Sequence, residues 1–236
     1  MSLHVRDLAT GYRQGKIIQP LHRNISFETA AGDVILLAGP NGVGKSVFLK
    51  TLMGILPAFG GTVHCNHIDL HACSASERQT RIALMLATPP QIELMSPLEI
   101  VLTASPKTHF FQSFSSGEKE KARLELDFCG VGHLANAIFS HLSDGEKQKI
   151  MLARCLFQNT QIVLLDEPTA FLDYPSKIDF WTRIQERATQ KGTVFIVCTH
   201  DLHIAQNRVN KVWLMNQNEF TIFENPADFQ IDFVKS

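Results

Sequence analysis

Eight consecutive residues constrain this chain more than any other feature: Gly39-Pro40-Asn41-Gly42-Val43-Gly44-Lys45-Ser46. They follow an apolar run at 33–38 that reads as a strand, and they open a helix pattern over 44–55. The stretch matches G-x-x-x-x-G-K-[ST] in the strand–turn–helix setting the pattern requires. Glycines let successive backbone N–H groups converge, and a helix N-terminus adds positive partial charge, so the turn suits phosphate oxygens. In such a loop Lys45 reaches the β- and γ-phosphates and the Ser46 hydroxyl ligates Mg²⁺. The alternative, a glycine-rich surface turn with a solvated lysine, leaves the flanking strand and helix unexplained. By itself the loop indicates a nucleoside triphosphate, and neither a fold nor a task.

A second apolar run, Ile162-Val163-Leu164-Leu165, ends in Asp166-Glu167-Pro168. A buried strand that delivers two adjacent acids at its C-terminal tip points them into the ligand crevice of an α/β sheet. There Asp166 holds Mg²⁺, and Glu167 is the general base toward the attacking water, a role worth about 10²–10⁴-fold in rate. An ordinary strand-end turn with solvated acids is the competing reading, and the phosphate loop upstream weakens it.

Strand patterns also occur at 4–8, 25–28 and 82–86, and 62–70 reads as a hairpin after a stop at Leu56-Pro57 and Gly60-Gly61. From about 88 to 160 the chain turns to Pro-punctuated loops and charged helices at 118–128 and 143–158. It then resumes strand–helix–strand at 161–166, 175–191 and 193–199. That alternation predicts a mostly parallel sheet interrupted by a helical insertion at about 88–155. Hydrophobic residues make up 44% and charged residues 19%, enough for a packed core. The net charge of −1 gives no electrostatic reason to expect a nucleic-acid partner. The five cysteines are scattered and odd in number, which fits a reducing compartment. The start of the chain has no apolar leader, and the longest apolar runs fall far short of the roughly 20 residues of a membrane span. The expectation is a soluble chain whose membrane part, if any, comes from another chain.

Leu142-Ser143-Asp144-Gly145-Glu146-Lys147-Gln148 stands upstream of the carboxylate strand. Ser143 and Glu146 have capping-box spacing, and Gly145 permits close backbone approach. Here the sequence resembles the ABC (ATP-binding cassette) ATPase family, whose signature usually reads Leu-Ser-Gly-Gly-Gln; the likeness covers essentially the whole chain. It implies one α/β P-loop domain over 1–236, with an N-terminal antiparallel β-subdomain and the inserted helical subdomain. It also implies a head-to-tail homodimer in which Ser143 and Gly145 close on the partner's ATP. Tyr12 sits where the adenine-stacking aromatic falls; the alternative is a strand-end tyrosine packed on the β-subdomain. Thr169-Ala170-Phe171-Leu172-Asp173 resembles the loop that crosses the dimer, with Asp173 at the nucleotide or, alternatively, capping the next helix. His200 resembles the histidine that contacts the γ-phosphate, against a buried structural histidine.

Departures from the family pattern are informative. Asp144 and Glu146 replace a glycine and a glutamine and bring negative charge near a γ-phosphate. The cost is small if Glu146 is held in its capping bond and Asp144 points to solvent. The family's glutamine after the strand at 82–86 is replaced by Ala87-Thr88. The nearest glutamine, Gln91, is either the metal and coupling ligand or an ordinary loop residue. Ser115-Ser116-Gly117-Glu118 looks like a second signature, but no Asp-Glu strand follows at matching distance, so it reads as a capped helix start. His64, Cys65, His67, His71 and Cys73 crowd together, yet strand alternation separates neighbours and no clean metal-ligand spacing occurs. Phe110, Phe111 and Phe114 form either an exposed patch for a membrane partner or part of the helical core.

The resemblance thus implies hydrolysis of ATP with Mg²⁺ at the cytoplasmic face of the inner (cell) membrane, driving a separate integral-membrane permease served by a substrate-binding protein. The importers it resembles most are those for iron–siderophore, haem or cobalamin. The alternative is a soluble non-transport ABC ATPase, such as one serving iron–sulfur cluster assembly. An exporter motor comes third.

Overall fold

The computed structural model describes residues 2–14, 17–105, 114–217 and 219–234. Two long arms, β1 (Leu3–Gln14) and β2 (Ile17–Glu28), open the chain, followed by β3 (Val34–Ala38) and α1 (Lys45–Leu52). Next come β4 (Gly60–Cys65), β5 (Ile68–Asp69), α2 (Ala75–Gln79) and β6 (Ile82–Met85). Three helices then intervene: α3 (Pro97–Leu102), α4 (Ser116–Phe128) and α5 (Asp144–Phe157). The remainder is β7 (Ile162–Asp166), α6 (Tyr174–Lys191), β8 (Val194–Cys198), α7 (Leu202–Gln206), β9 (Lys211–Met215) and β10 (Phe220–Phe223).

The strands form an antiparallel sheet in the order β2-β1-β4-β5 and a second sheet in the order β10-β9-β3-β8-β7-β6. In the second sheet every pairing is parallel except that of β10 with β9. Apolar runs without alternation suit strands covered on both faces. Every residue of β3, β7 and β8 is buried. Their side chains divide between two cores by simple alternation. Ile35, Leu37, Ile162, Leu164 and Ile196 join α1 and the antiparallel sheet. Leu36, Val163, Leu165, Phe195 and Val197 join the helices on the other face. Truncating one of these residues to alanine costs about 2–5 kcal/mol.

The helices between β6 and β7 pack on one another and are tied to α6 by a buried ion pair. Arg187 donates to both carboxylate oxygens of Glu125 on α4, at 2.9 and 2.6 Å. Its guanidinium also lies 4.3 Å from the centre of the Phe128 ring.

Several elements differ from expectation. β1 and β2 run well past 4–8 and 25–28, because their outer halves pair across the hairpin while presenting polar side chains that blur the apolar pattern. The short helices α2, α3 and α7 carry too few residues for a 3.6-residue period to show. β9 and β10 lie beyond the last element read from the sequence, although Val212–Met215 is an apolar run that signals one of them. Phe114 is half-buried against the main core, the packing alternative; Phe110 and Phe111 lie outside the described residues.

Candidate functional site

Register brings the candidate residues to one edge of the parallel sheet. Leu37 of β3 pairs with Cys198 of β8, and Cys198 pairs with Asp166 of β7. The phosphate loop, Asp166-Glu167 and Thr199-His200 therefore leave three adjacent strands at the same level. This carboxyl edge is where open α/β sheets bind ligands.

The loop rises from β3 against the end of β9. A Cβ at Gly39 would run into the carbonyl oxygen of Met215, so that close approach requires glycine. Gly44 caps α1, whose first turn holds no acid to compete with an anion. Lys45 is buried, with Nζ donating to the carbonyls of Gly39 at 2.6 Å and Pro40 at 2.9 Å. Its ammonium is held over the loop. Pro40, Asn41, Gly42 and Val43 line a groove with Pro20 and Leu21 of β2. Tyr12 is half-exposed on β1, opposite Gln19 and next to the pair Gly11–Pro20, so its strand borders this groove.

The two acids differ in their surroundings. Asp166 is 4% exposed, and among the described residues no protein donor reaches its carboxylate. Glu167 adopts φ 49°, a left-handed conformation that costs energy for a side chain of this size. Its N–H donates to the carbonyl of Cys198 at 2.9 Å. Its carboxylate lies 3.1 Å from Nε2 of His200 and accepts the His200 N–H at 3.3 Å. Burial pushes the Glu167 carboxyl above the usual carboxylate range, and the neighbouring His200 opposes that shift. The His200 side chain is 59% exposed, so it is no buried structural histidine.

Ser143 forms the expected capping box: Oγ accepts from the N–H of Glu146 at 3.3 Å, and the Glu146 carboxylate accepts from the N–H of Ser143 at 2.8 Å. The Ser143 hydroxyl and N–H hold the Glu146 carboxyl below its usual range. Asp144 is largely exposed, 3.8 Å from Lys147. The two departures from the usual signature are thus accommodated as the sequence required. Ser115 builds the same box with Glu118, confirming a capped helix start there. The two glycines are not alike, however. A Cβ at Gly145 would stand 2.9 Å from the carbonyl oxygen of Phe171, whereas one at Gly117 meets nothing within 4 Å.

Ser143, Gly145 and Glu146 line a groove with Phe171 and Asp173, and none of its residues belongs to the phosphate-loop groove. Asp173 caps α6, accepting from the N–H of Ser176 at 3.1 Å, which is the capping alternative. Gln91 is exposed and lines a third groove, with Phe139, Asp144, Lys147 and Phe171. The structure groups it with the signature side, away from the phosphate-loop groove. Cys65 and Cys73 are spent locally, Cys65 on Gln161 and Cys73 on the carbonyl of Leu70.

Three contributions escaped the sequence. Thr169 is fully buried and bonds Thr199 at 3.0 Å and Asp201 at 2.8 Å, and Asp201 in turn pairs with Lys177. This network locks the loop after Glu167 to the segment carrying His200. His22 is buried against Gly44 and bonded to the carbonyl of Asn216 at 2.8 Å, bracing the phosphate loop from behind. Gln148 on α5 bonds the carbonyl of Glu167. Each contact joins segments remote in sequence, so no local pattern announces it.

The model of the ABC transporter family matches residues 22–170. The achromobactin transport ATP-binding protein of Dickeya dadantii is 32% identical over 201 residues, 85% of this chain and 73% of that protein. The hemin import ATP-binding protein of Rhodococcus jostii is 32% identical over 212 residues, 89% of this chain and 71% of that protein. A dimeric ATP-binding cassette in a post-hydrolysis state, bound to ADP and Pi, shares the fold with a TM-score of 0.82 at 21% identity, over 93% of this chain and 97% of that one. The strand-edge cluster of loop, acids and histidine therefore has its family: the chain belongs to the ABC transporter family and is an ATPase, one of its ATP-binding cassettes.

Proposed function

We propose that this chain is the ATP-hydrolysing subunit of an importer for an iron–siderophore complex, haem or cobalamin, and that it works as a head-to-tail pair of copies. The observation that carries the pairing is the separation of two half-sites. The phosphate loop and the signature helix start lie in different grooves with no residue in common. A second copy turned head to tail brings Ser143 and Gly145 of each chain to the phosphates on the other, giving two equivalent sites.

In each site the loop from Gly39 to Ser46 wraps the phosphates, its N–H groups past Pro40 donate to them, and Lys45 adds a positive charge. Ser46 and Asp166 would hold Mg²⁺: both offer hard oxygen, and among the described residues the Asp166 carboxylate accepts no protein hydrogen bond, although the residue is 4% exposed. The ion supplies charge neutralisation to the phosphates when bound. Gln91 lines the groove on the signature side and is left out of that ligand set. Glu167 accepts the proton of the attacking water, and its burial makes it a stronger base than an exposed carboxylate. His200 holds that carboxylate in place and meets the γ-phosphate. Tyr12 stacks on adenine, and Asp173 faces the second copy.

The importer assignment rests on the relatives named for achromobactin and hemin, whereas others are named for zinc or phosphonate. Among the described residues no helix is long and apolar enough to cross a membrane, so a permease supplies the path. The chain docks on it peripherally, from the cytoplasmic side, with a binding protein delivering cargo opposite. The test is ATP turnover after reconstitution with the co-purifying membrane partner and its binding protein. Stimulation by ferric siderophores, haem or cobalamin is expected. Stimulation by zinc or phosphonate alone moves the cargo assignment, and capture of soluble assembly proteins in place of a permease overturns the importer.

A further inference from the structure

Gln148 lies on α5, little more than one turn past Ser143, and is 1% exposed. Its Nε2 donates to the main-chain carbonyl of Glu167 at 2.9 Å. A carbonyl only accepts, so the amide can face it one way round. That leaves Oε1 buried with no partner among the described residues. A buried amide with one bond and one orphaned acceptor is a poor device for stability. An apolar side chain of the same volume avoids the desolvation cost.

What the bond acts on is Glu167. This residue holds φ 49°, a conformation that persists only where neighbours over-determine it. Its N–H is fixed by Cys198 on β8 and its carbonyl by Gln148 on α5. With both peptide groups pinned, the side chain leaves the strand end toward His200. Releasing the carbonyl frees the backbone to relax and carries the carboxylate away.

The geometry points to Gln148 as a positioning residue, through which the signature helix holds Glu167 in its left-handed conformation and aims its carboxylate. This rests on the reading of Glu167 as general base. The helix that presents Ser143 outward is the one that grips the base inward, so a push on its N-terminus reaches the chain's own Glu167.

The test is a mutant cycle of Gln148→Met, Glu167→Gln and the double variant, read as steady-state ATP turnover with unfolding monitored in parallel. Gln148→Met is expected to lower kcat about ten- to a hundredfold, as for a base displaced by an ångström or less. KM for ATP stays within about threefold and the unfolding midpoint changes little. The double variant is no slower than Glu167→Gln. An undiminished kcat in Gln148→Met, or a rise in KM together with a loss of stability that accounts for the lost turnover, overturns the inference. Gln148→Glu is the second check: it donates only when protonated, so its kcat relative to the parent chain rises as pH is lowered, and a ratio flat in pH also overturns it. If Glu167→Gln itself turns over normally, the general-base reading fails; if it is dead while Gln148→Met is normal, only the positioning role fails.

Discussion

Gly145 and Phe171 meet backbone to backbone: a Cβ added at 145 would stand 2.9 Å from the Phe171 carbonyl oxygen. The helix start that reaches for a phosphate is thereby packed on the loop that follows Glu167. Gly145→Ala must push that loop or tilt the helix, and is expected to cut ATP turnover at least tenfold. Gly117→Ala, at the look-alike helix start, meets open space. It should leave turnover unchanged and raise stability by about 1 kcal/mol or less. Equal effects of the two substitutions in a turnover assay would remove the distinction between the helix starts.

Pairing of copies is checked with nucleotide and sizing. Glu167→Gln should bind ATP, run as a dimer and fail to turn over. Adding Ser143→Arg should leave ATP binding by the single copy intact and abolish the dimer. A collapse of ATP affinity in the Ser143→Arg chain would instead place that serine at its own phosphate loop.

The pH dependence has a definite sign. Burial raises the Glu167 carboxyl and the neighbouring His200 is the chief opposing influence. A base must be deprotonated to act, so turnover falls as pH drops through that raised value. His200→Gln removes the opposition, and the acid limb of its residual kcat should move to higher pH. A limb that stays put or moves down means the histidine does not set the titration.

Asp144 puts a carboxylate in the first turn of α5, largely exposed. Opposite a triphosphate it repels, and screening weakens the repulsion. Asp144→Asn should lower the ATP concentration needed for dimerisation of the Glu167→Gln chain a few-fold at low salt, with the gain fading by about 0.5 M. A gain independent of salt would need a non-electrostatic cause.

The Arg187–Glu125 pair is 8% and 14% exposed in its side chains. Arg187→Met strands a buried carboxylate and should cost about 3–5 kcal/mol in urea unfolding. Replacing Glu125 by Leu as well should return most of it. A single variant as stable as the parent chain would show that Glu125 finds water.

Much of the site was legible in residue order. The phosphate loop declares itself because its strand, glycines and helix start are contiguous. Asp166-Glu167 does so because a run of apolar residues delivers it, and the Ser143–Glu146 and Ser115–Glu118 boxes because capping is local. What stayed hidden was short or remote: helices of five or six residues, the polar outer halves of β1 and β2, and the bonds from Thr169, His22 and Gln148.

Sequence alone determined the longer buried strands and capped helices and where the phosphate-binding and acidic chemistry sits, since propensity, capping and apolar periodicity act over a few residues. Tertiary structure decided that Leu37, Cys198 and Asp166 end level, which is what gathers loop, acids and histidine. It also decided that of two near-identical helix starts only the one at Gly145 is pressed against the loop after Glu167. Strand register and helix packing are set by the sum of many weak burial terms across distant residues, and no short stretch of chain contains that sum.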